Sequence, residues 1–305
     1  MFRRTFIAAA TALLIAAPSI AWNRAGHMTV GAMAYDQLRR DAPASLARVA
    51  AILQHHPQYE SRWKPQLLTV SPQDQDRFLF MLAARWADDV RGDPQFDHPK
   101  WHYIDYPYKP PGQPASLAAA APEAENMIAA FEQNAALLQG SAPDEQKAVA
   151  LCWIFHLMGD SHQPLHDADL FTTQFPEGDR GGNLVYIKTD AASPKTENLH
   201  AYWDNIILSD DHYAAAGARA QMIEMRHARR SLPELAEPHF EAWAQESFRL
   251  AVSTVYRQGR IRGGVDRDHG IPLPRGYYRT AQRVAERRLA DSGYRLADFL
   301  RTNFP

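Results

Sequence analysis

Two histidine–aspartate pairs, His156/Asp160 and His200/Asp204, share a four-residue spacing. In a helix that spacing stacks both side chains on one face, a turn apart. In a strand it would separate them by about 13 Å. If the paired residues act together, the segments that carry them are helical. The rest of the chain agrees. Apolar residues recur at helical spacing over residues 29–40, 43–54 and 76–91. A helix over 122–139 opens on Pro-Glu and stops before Gly140, and one over 143–160 opens on Pro-Asp-Glu, which suits the positive end of the helix dipole. Further helices are expected over 197–208, 213–230, 238–258 and 277–291, with a short one closing the chain. Strand signal is confined to 101–106 and 184–188. Two loops stand out, a Pro-rich one over 106–114 and one rich in Gly and charge over 175–183. The expected fold is all-α: a single large helical domain with at most a short β-hairpin.

The first 21 residues read differently. Arg3 and Arg4 precede an uncharged apolar run over residues 6–17, and Ser19-Ile20-Ala21 offers the small residues a signal peptidase reads. The run is shorter than the roughly 20 residues a spanning helix needs. Residues 1–21 are therefore expected to be a signal peptide, and residues 22–305 one domain with a substantial core. The chain would be exported, periplasmic or secreted, without stable membrane association. Without the leader, 31 basic residues face 35 acidic ones. That balance excludes a protein that coats nucleic acid by neutralising many phosphates. The single cysteine, Cys152, excludes an internal disulfide and lies in an apolar helical run, where it serves as a small buried hydrophobe. No Asn-x-Ser/Thr acceptor occurs.

Chemistry is concentrated where histidines meet aspartates. His166 follows the first pair across Pro164, which should end the helix. Asp88 lies in Trp86-Ala87-Asp88, His102 in Trp101-His102-Tyr103-Ile104-Asp105, and His27 five residues after Trp22. Imidazole and carboxylate are the ligands zinc takes when thiolate is absent. One His/Asp pair on a helix is commonly a surface ion pair. Two such pairs, with His166 in a tight turn, favour metal. The offset of His162 from His156 points it off the ligand face, toward a supporting hydrogen bond. The histidines at 55, 56, 98, 212, 227, 239 and 269 have no partner motif.

The chain resembles the S1/P1 nuclease family of zinc-dependent, single-strand-preferring nucleases. The matching segments begin with Trp22-Asn23-Arg24-Ala25-Gly26-His27, Trp86-Ala87-Asp88 and His102-Tyr103-Ile104-Asp105. They continue with His156-Leu157-Met158-Gly159-Asp160-Ser161-His162-Gln163-Pro164-Leu165-His166, then Gly181-Gly182-Asn183 and Asn198-Leu199-His200-Ala201-Tyr202-Trp203-Asp204. The resemblance implies the fold of the phospholipase C/P1 nuclease type and three zinc ions per chain. One zinc would be held by Asp88, His102, His156 and Asp160, and a second by His166, His200 and Asp204. The third would be held by the amino group and carbonyl of Trp22, by His27 and by Asp160. An α-amine, with pKa about 8, coordinates only when neutral, so removal of residues 1–21 would complete the site.

Three Zn²⁺ against Asp88, Asp160 and Asp204 leave a local positive surplus in an acidic chain, which suits a polyanion. By resemblance the reaction is endonucleolytic hydrolysis of single-stranded DNA and RNA to 5′-phosphate products, with 3′-nucleotidase activity, the metals activating water and stabilising the departing oxygen. Asp88 and Asp160 would act in catalysis with Arg91, which stands where the family usually has Lys and offers a fork to phosphate oxygens. Arg91 would also help bind substrate. Tyr103 resembles the family's base-stacking aromatic and Asp105 its base-edge carboxylate; Tyr103 would serve equally well in a core. Asp179 and Arg180 could line the cleft. Nucleic acid and nucleotides are the expected partners, and a monomer is the default state.

Two other readings remain open. A zinc phospholipase C has a related fold and an N-terminal Trp, but a longer stretch to the next His and a Glu closing its ligand set. The gap of five and Asp204 favour the nuclease. A non-catalytic, zinc-stabilised exported binding protein would use the metal for folding alone.

Overall fold

The computed structural model describes residues 22–193, 195–261 and 263–305. The expected signal peptide, residues 1–21, lies outside the described residues. Among the described residues there are ten α-helices: α1 (Arg24–Asp41), α2 (Pro43–Leu53), α3 (Lys64–Leu67), α4 (Gln75–Asp89), α5 (Met127–Gln139), α6 (Asp144–Asp160), α7 (Leu199–Asp204), α8 (Tyr213–Arg226), α9 (Phe240–Leu250) and α10 (Tyr277–Asn303). The strands β1 (Pro107–Tyr108), β2 (Asp169–Leu170), β3 (Tyr186–Lys188), β4 (Glu197–Asn198) and β5 (Ile271–Pro272) are two or three residues long. The expected all-α architecture is present, but the β-structure is not one hairpin. β1 pairs in parallel with β2, and β3 lies between antiparallel β4 and parallel β5. The strand expected over 101–106 is a 3₁₀ turn, Pro99–His102, followed by irregular chain.

Helix α1 is the axis of the domain. It is buried without a break from Ala25 to Leu38, as a helix packed on several sides must be. It lies against α4, α8 and α10, and α4 in turn packs on α6. A buried bidentate ion pair, Arg77 Nε and Nη2 to Asp36 at 3.0 and 2.7 Å, ties α4 to α1. Trp86, Trp153, Phe80 and Phe155 fill the space where α4 meets α6.

Several boundaries moved for identifiable reasons. α5 starts at Met127, not Pro122, because the Asn126 side chain accepts from the amides of Ile128 and Ala129 and caps it there. α1 starts at Arg24 because Asn23 accepts from the Gly26 amide. The segment 238–258 is α9 followed by a wider π turn, Ala251–Val255, and ends where Arg257, Gln258 and Gly259 take positive φ. α10 does not stop at Asp291 but runs through Gly293. A Cβ on Gly293 would lie 2.6 Å from Met33 Cβ, so the glycine is there for the approach of α1. Cys152 is a free, buried thiol. No helix of the described residues is long and apolar enough to cross a membrane.

Candidate metal centre

The C-terminal turn of α6 supplies the centre of the site. His156 and Asp160 sit one turn apart on its buried face, with His156 Nε2 3.2 Å from Asp160 Oδ2. Pro164 then opens a short 3₁₀ turn that carries His166. Side chains from α9 and α10 hold this end of α6. Ser247 Oγ donates to Ser161 O at 2.7 Å, and Ser292 Oγ to Met158 O at 2.8 Å. His162 is turned away from the ligands, as expected. Its Nδ1 meets the Met158 carbonyl at 2.8 Å, which leaves Nε2 to accept from Arg295 Nη1 at 2.9 Å.

Other elements bring the remaining groups. Asp88 comes from the last turn of α4, and His102 ends the 3₁₀ turn Pro99–His102. Asn198 caps α7, accepting from the Ala201 amide at 2.6 Å, and so sets His200 in its first turn and Asp204 in its last. Three groups of ligand-type atoms result: His27, His156 and Asp160; Asp88, His102 and His156; and His166, His200 and Asp204. Within each, the atoms lie within 4.8 Å of one another, and every residue is buried. His27 Nε2 is 3.3 Å from Asp160 Oδ1, and its ring stacks on His156 at 3.9 Å. A Cβ on Gly159 would lie 2.5 Å from His27 Nδ1, so only glycine admits that imidazole. Trp22 is buried beside the third group; the next residue, Asn23, donates its N–H to Asp204 O at 3.3 Å.

The proton positions decide whether these groups suit a cation. His166 Nδ1 faces His102 O at 2.6 Å, and His200 Nδ1 faces Gly181 O at 2.7 Å. Carbonyls only accept, so both Nδ1 atoms carry protons and, in the neutral rings, both Nε2 atoms are bare lone pairs. Those two Nε2 atoms lie 3.0 Å apart. Likewise His156 Nδ1 donates to Ala84 O at 3.0 Å, while its Nε2 is 2.9 Å from His102 Nδ1. Burial lowers the pKa of His200 well below the usual value, with His166 adding to the effect, and lowers His166 as well. Protonation is thus disfavoured, and two lone pairs converge with no proton between them. A shared cation removes that repulsion. Both ring nitrogens of His27, Asp88 Oδ2, His102 Nε2 and Asp160 Oδ1 are buried without a hydrogen-bond partner. Buried polar atoms left unsatisfied in this number point to an ion. The residues present therefore fit a metal.

Gln163 is a residue that sequence reasoning did not single out. Its Oε1 accepts from the Leu165 amide at 2.7 Å, and its Nε2 donates to Asp204 Oδ1 at 2.6 Å. The only signal was its place inside the motif. Burial pushes the Asp204 carboxyl well up, and Gln163 opposes that shift. A cation at the site would do the same.

The groups border a cleft of about 470 Å³ lined by Arg91, Tyr103, Asp105, His102, His166 and His200 among others. Arg91 Nε donates to Asp88 Oδ1 at 3.0 Å; its Nη2, 2.9 Å from the same oxygen but misaligned for it, has no hydrogen-bond partner. Tyr103 is 36% exposed and lies in the cleft, not in the core. Burial, with help from Asp169 and Glu123, raises Asp105 to about 7. Asp179 also contributes, though not directly. It accepts from Tyr256 Oη and from the Leu170 amide, and so helps fix the loop leading to Gly181.

A family model described as S1/P1 Nuclease matches residues 22–305. Endonuclease 5 of Arabidopsis thaliana is 31% identical over 170 residues, 51% of each chain. Endonuclease 3 of the same plant is 30% identical over 168 residues, again 51% of each. Nuclease S1 of Aspergillus oryzae is 25% identical over 241 residues, 72% of this chain and 77% of its own. The chain spans about half the length of these plant relatives.

Proposed function

Because the chain belongs to the S1/P1 nuclease family, we propose that it hydrolyses phosphodiester bonds of single-stranded DNA and RNA to 5′-phosphate products and also removes 3′-phosphate from nucleotides. The observation that carries the reading is the set of buried, converging lone pairs beside a cleft large enough for a nucleotide. Asp88, His102, His156 and Asp160 would hold one zinc, and His166, His200 and Asp204 a second. A third would be held by His27, Asp160 and the amine and carbonyl of Trp22. Zinc, when bound, supplies Lewis acidity, an activated water and charge stabilisation for the leaving oxygen.

The chain's own residues do the rest. The carbonyls of Ala84, His102 and Gly181 keep three imidazoles in the ligand tautomer. Gln163 orients Asp204. Arg91, which lines the cleft beside Asp88, binds a non-bridging oxygen of the scissile phosphate. Tyr103 stacks a base that is not stacked in a duplex, which selects single strands. Asp105, at about 7, can donate or accept at a base edge near neutral pH.

The mature chain would start at Trp22 after export to the periplasm or the medium, and would act as a monomer. The start of the family match at Trp22 and the burial of that residue support a chain that begins there. The test gives purified protein beginning at Trp22 a single-stranded DNA, an RNA, a 3′-nucleotide and phosphatidylcholine. Strand cleavage lost with chelator and restored by zinc is the expected result. Turnover of the lipid alone would assign a phospholipase C, and no turnover of any substrate would leave only a structural role for the metal. One Met added before Trp22 should preserve the fold and sharply reduce activity; full activity would exclude the amine as a ligand.

A further inference from the structure

The cleft is lined by a second arginine, Arg180, on the loop that follows Gly178. Its backbone has φ +55, a left-handed conformation that side chains other than glycine adopt at a cost. Gly178, Gly181 and Gly182 around it also have positive φ, so the loop favours glycine at this place too. The conformation is imposed by fixed partners. The Arg180 amide donates to Asp169 Oδ1 at 2.8 Å, and its carbonyl accepts from Asn183 Nδ2 at 2.8 Å. Gly181 O, next in sequence, receives His200 Nδ1 at 2.7 Å and pins the loop to the ligand set.

The guanidinium itself is uncommitted. Among the described residues it makes no ion pair and no hydrogen bond, although Asp105, Asp169 and Glu177 line the same cleft. Arg91, by contrast, is tied to Asp88. A costly backbone conformation, held rigidly, thus presents an exposed and unpaired cation to the cleft where a polyanion would bind.

We propose that Arg180 is a specificity-determining residue that grips a phosphate flanking the scissile one and so favours a nucleic-acid strand over a mononucleotide. The inference rests on the proposed nuclease reading. A guanidinium offers two parallel donors to one phosphate, and each phosphate contact on a single strand adds about 0.7 to the log–log salt slope of binding.

The test uses Arg180→Gly, which suits the left-handed backbone, and Arg180→Lys, in the zinc-loaded protein. Anisotropy of a labelled ten-nucleotide DNA is read across a salt series, beside KM and kcat for that strand and for a 3′-nucleotide. In Arg180→Gly the strand's Kd and KM should rise roughly tenfold, with kcat little changed. The salt slope should fall by about 0.7. The loss on the strand should exceed that on the 3′-nucleotide at least fivefold, with bound zinc and Tm not reduced. Arg180→Lys should restore the slope but only part of the affinity. An unchanged slope, equal losses on both substrates, or a loss that tracks missing zinc would overturn the assignment. If the wild type cleaves no strand, the nuclease reading fails, and the anisotropy slopes still decide for or against Arg180.

Discussion

On the proposed ligand side of the cleft, His156, His166 and His200 direct their Nδ1 protons to the carbonyls of Ala84, His102 and Gly181. Their positions are set by backbone, and every ligand candidate among them is buried. On the proposed substrate side, Tyr103 and Arg180 stand on irregular chain with exposed side chains; only their backbones are held, through Met127 N to Tyr103 O at 2.9 Å and Arg180 N to Asp169 Oδ1 at 2.8 Å. The two sides therefore tolerate change differently. A change on the ligand side leaves buried groups unpaired and disturbs the reaction centre. A change on the substrate side removes one contact and leaves its neighbours in place.

The largest effect is expected from Asp160→Asn. Asp160 lies within reach of His27, His102 and His156, so hydrolysis should fall by more than about 100-fold, beyond what loss of an outer contact costs. A steady-state assay that finds near-normal kcat would remove Asp160 from the centre of the site. Next comes Gln163→Leu, which deprives Asp204 Oδ1 of its donor. Zinc affinity, read by chelator competition, should drop roughly 10–100-fold while the fold persists. On the substrate side, Tyr103→Ala should raise KM for a single strand about tenfold and leave bound zinc unchanged. A fall in zinc content there would erase the distinction between the two sides.

His56 provides a control outside both. It stacks on Trp63, contacts Trp86 and accepts the Gln58 amide at 3.1 Å. Burial, with a contribution from Arg62, holds its pKa down at about 3. The unfolded chain takes up a proton below about 6.5 that folded His56 refuses. Stability from this group is therefore complete above 6.5 and declines as pH falls toward 3, by up to about 1.4 kcal/mol per pH unit. Denaturation of His56→Asn, which keeps an acceptor for Gln58, should show a shallower loss between pH 6.5 and 4.5 than the parent. Parallel curves would mean that His56 is protonated in the fold.

The same contrast governs what could be read in advance. The His/Asp pairs were legible because helical spacing is a local property: His156/Asp160 and His200/Asp204 each lie within one helix. Helix existence was legible for the same reason, whereas α5 began five residues late because the cap Asn126 outweighed Pro122. The close approach of α10 to α1 at Gly293 is made against Met33, a contact that no window of sequence contains. Gln163 was hidden for a related reason, since its partner Asp204 is 41 residues away. His56 had no motif at all; its depressed pKa comes from aromatic neighbours on separate elements.

We propose that the buried His/Asp groups hold zinc. Crystals of the protein beginning at Trp22, measured on both sides of the zinc absorption edge, test it directly. Three anomalous peaks are expected: one beside His27 and Asp160, one beside Asp88, His102 and His156, and one beside His166, His200 and Asp204. Absence of zinc from all three, or a peak only at the exposed Asp210–Asp211–His212 cluster, would contradict it.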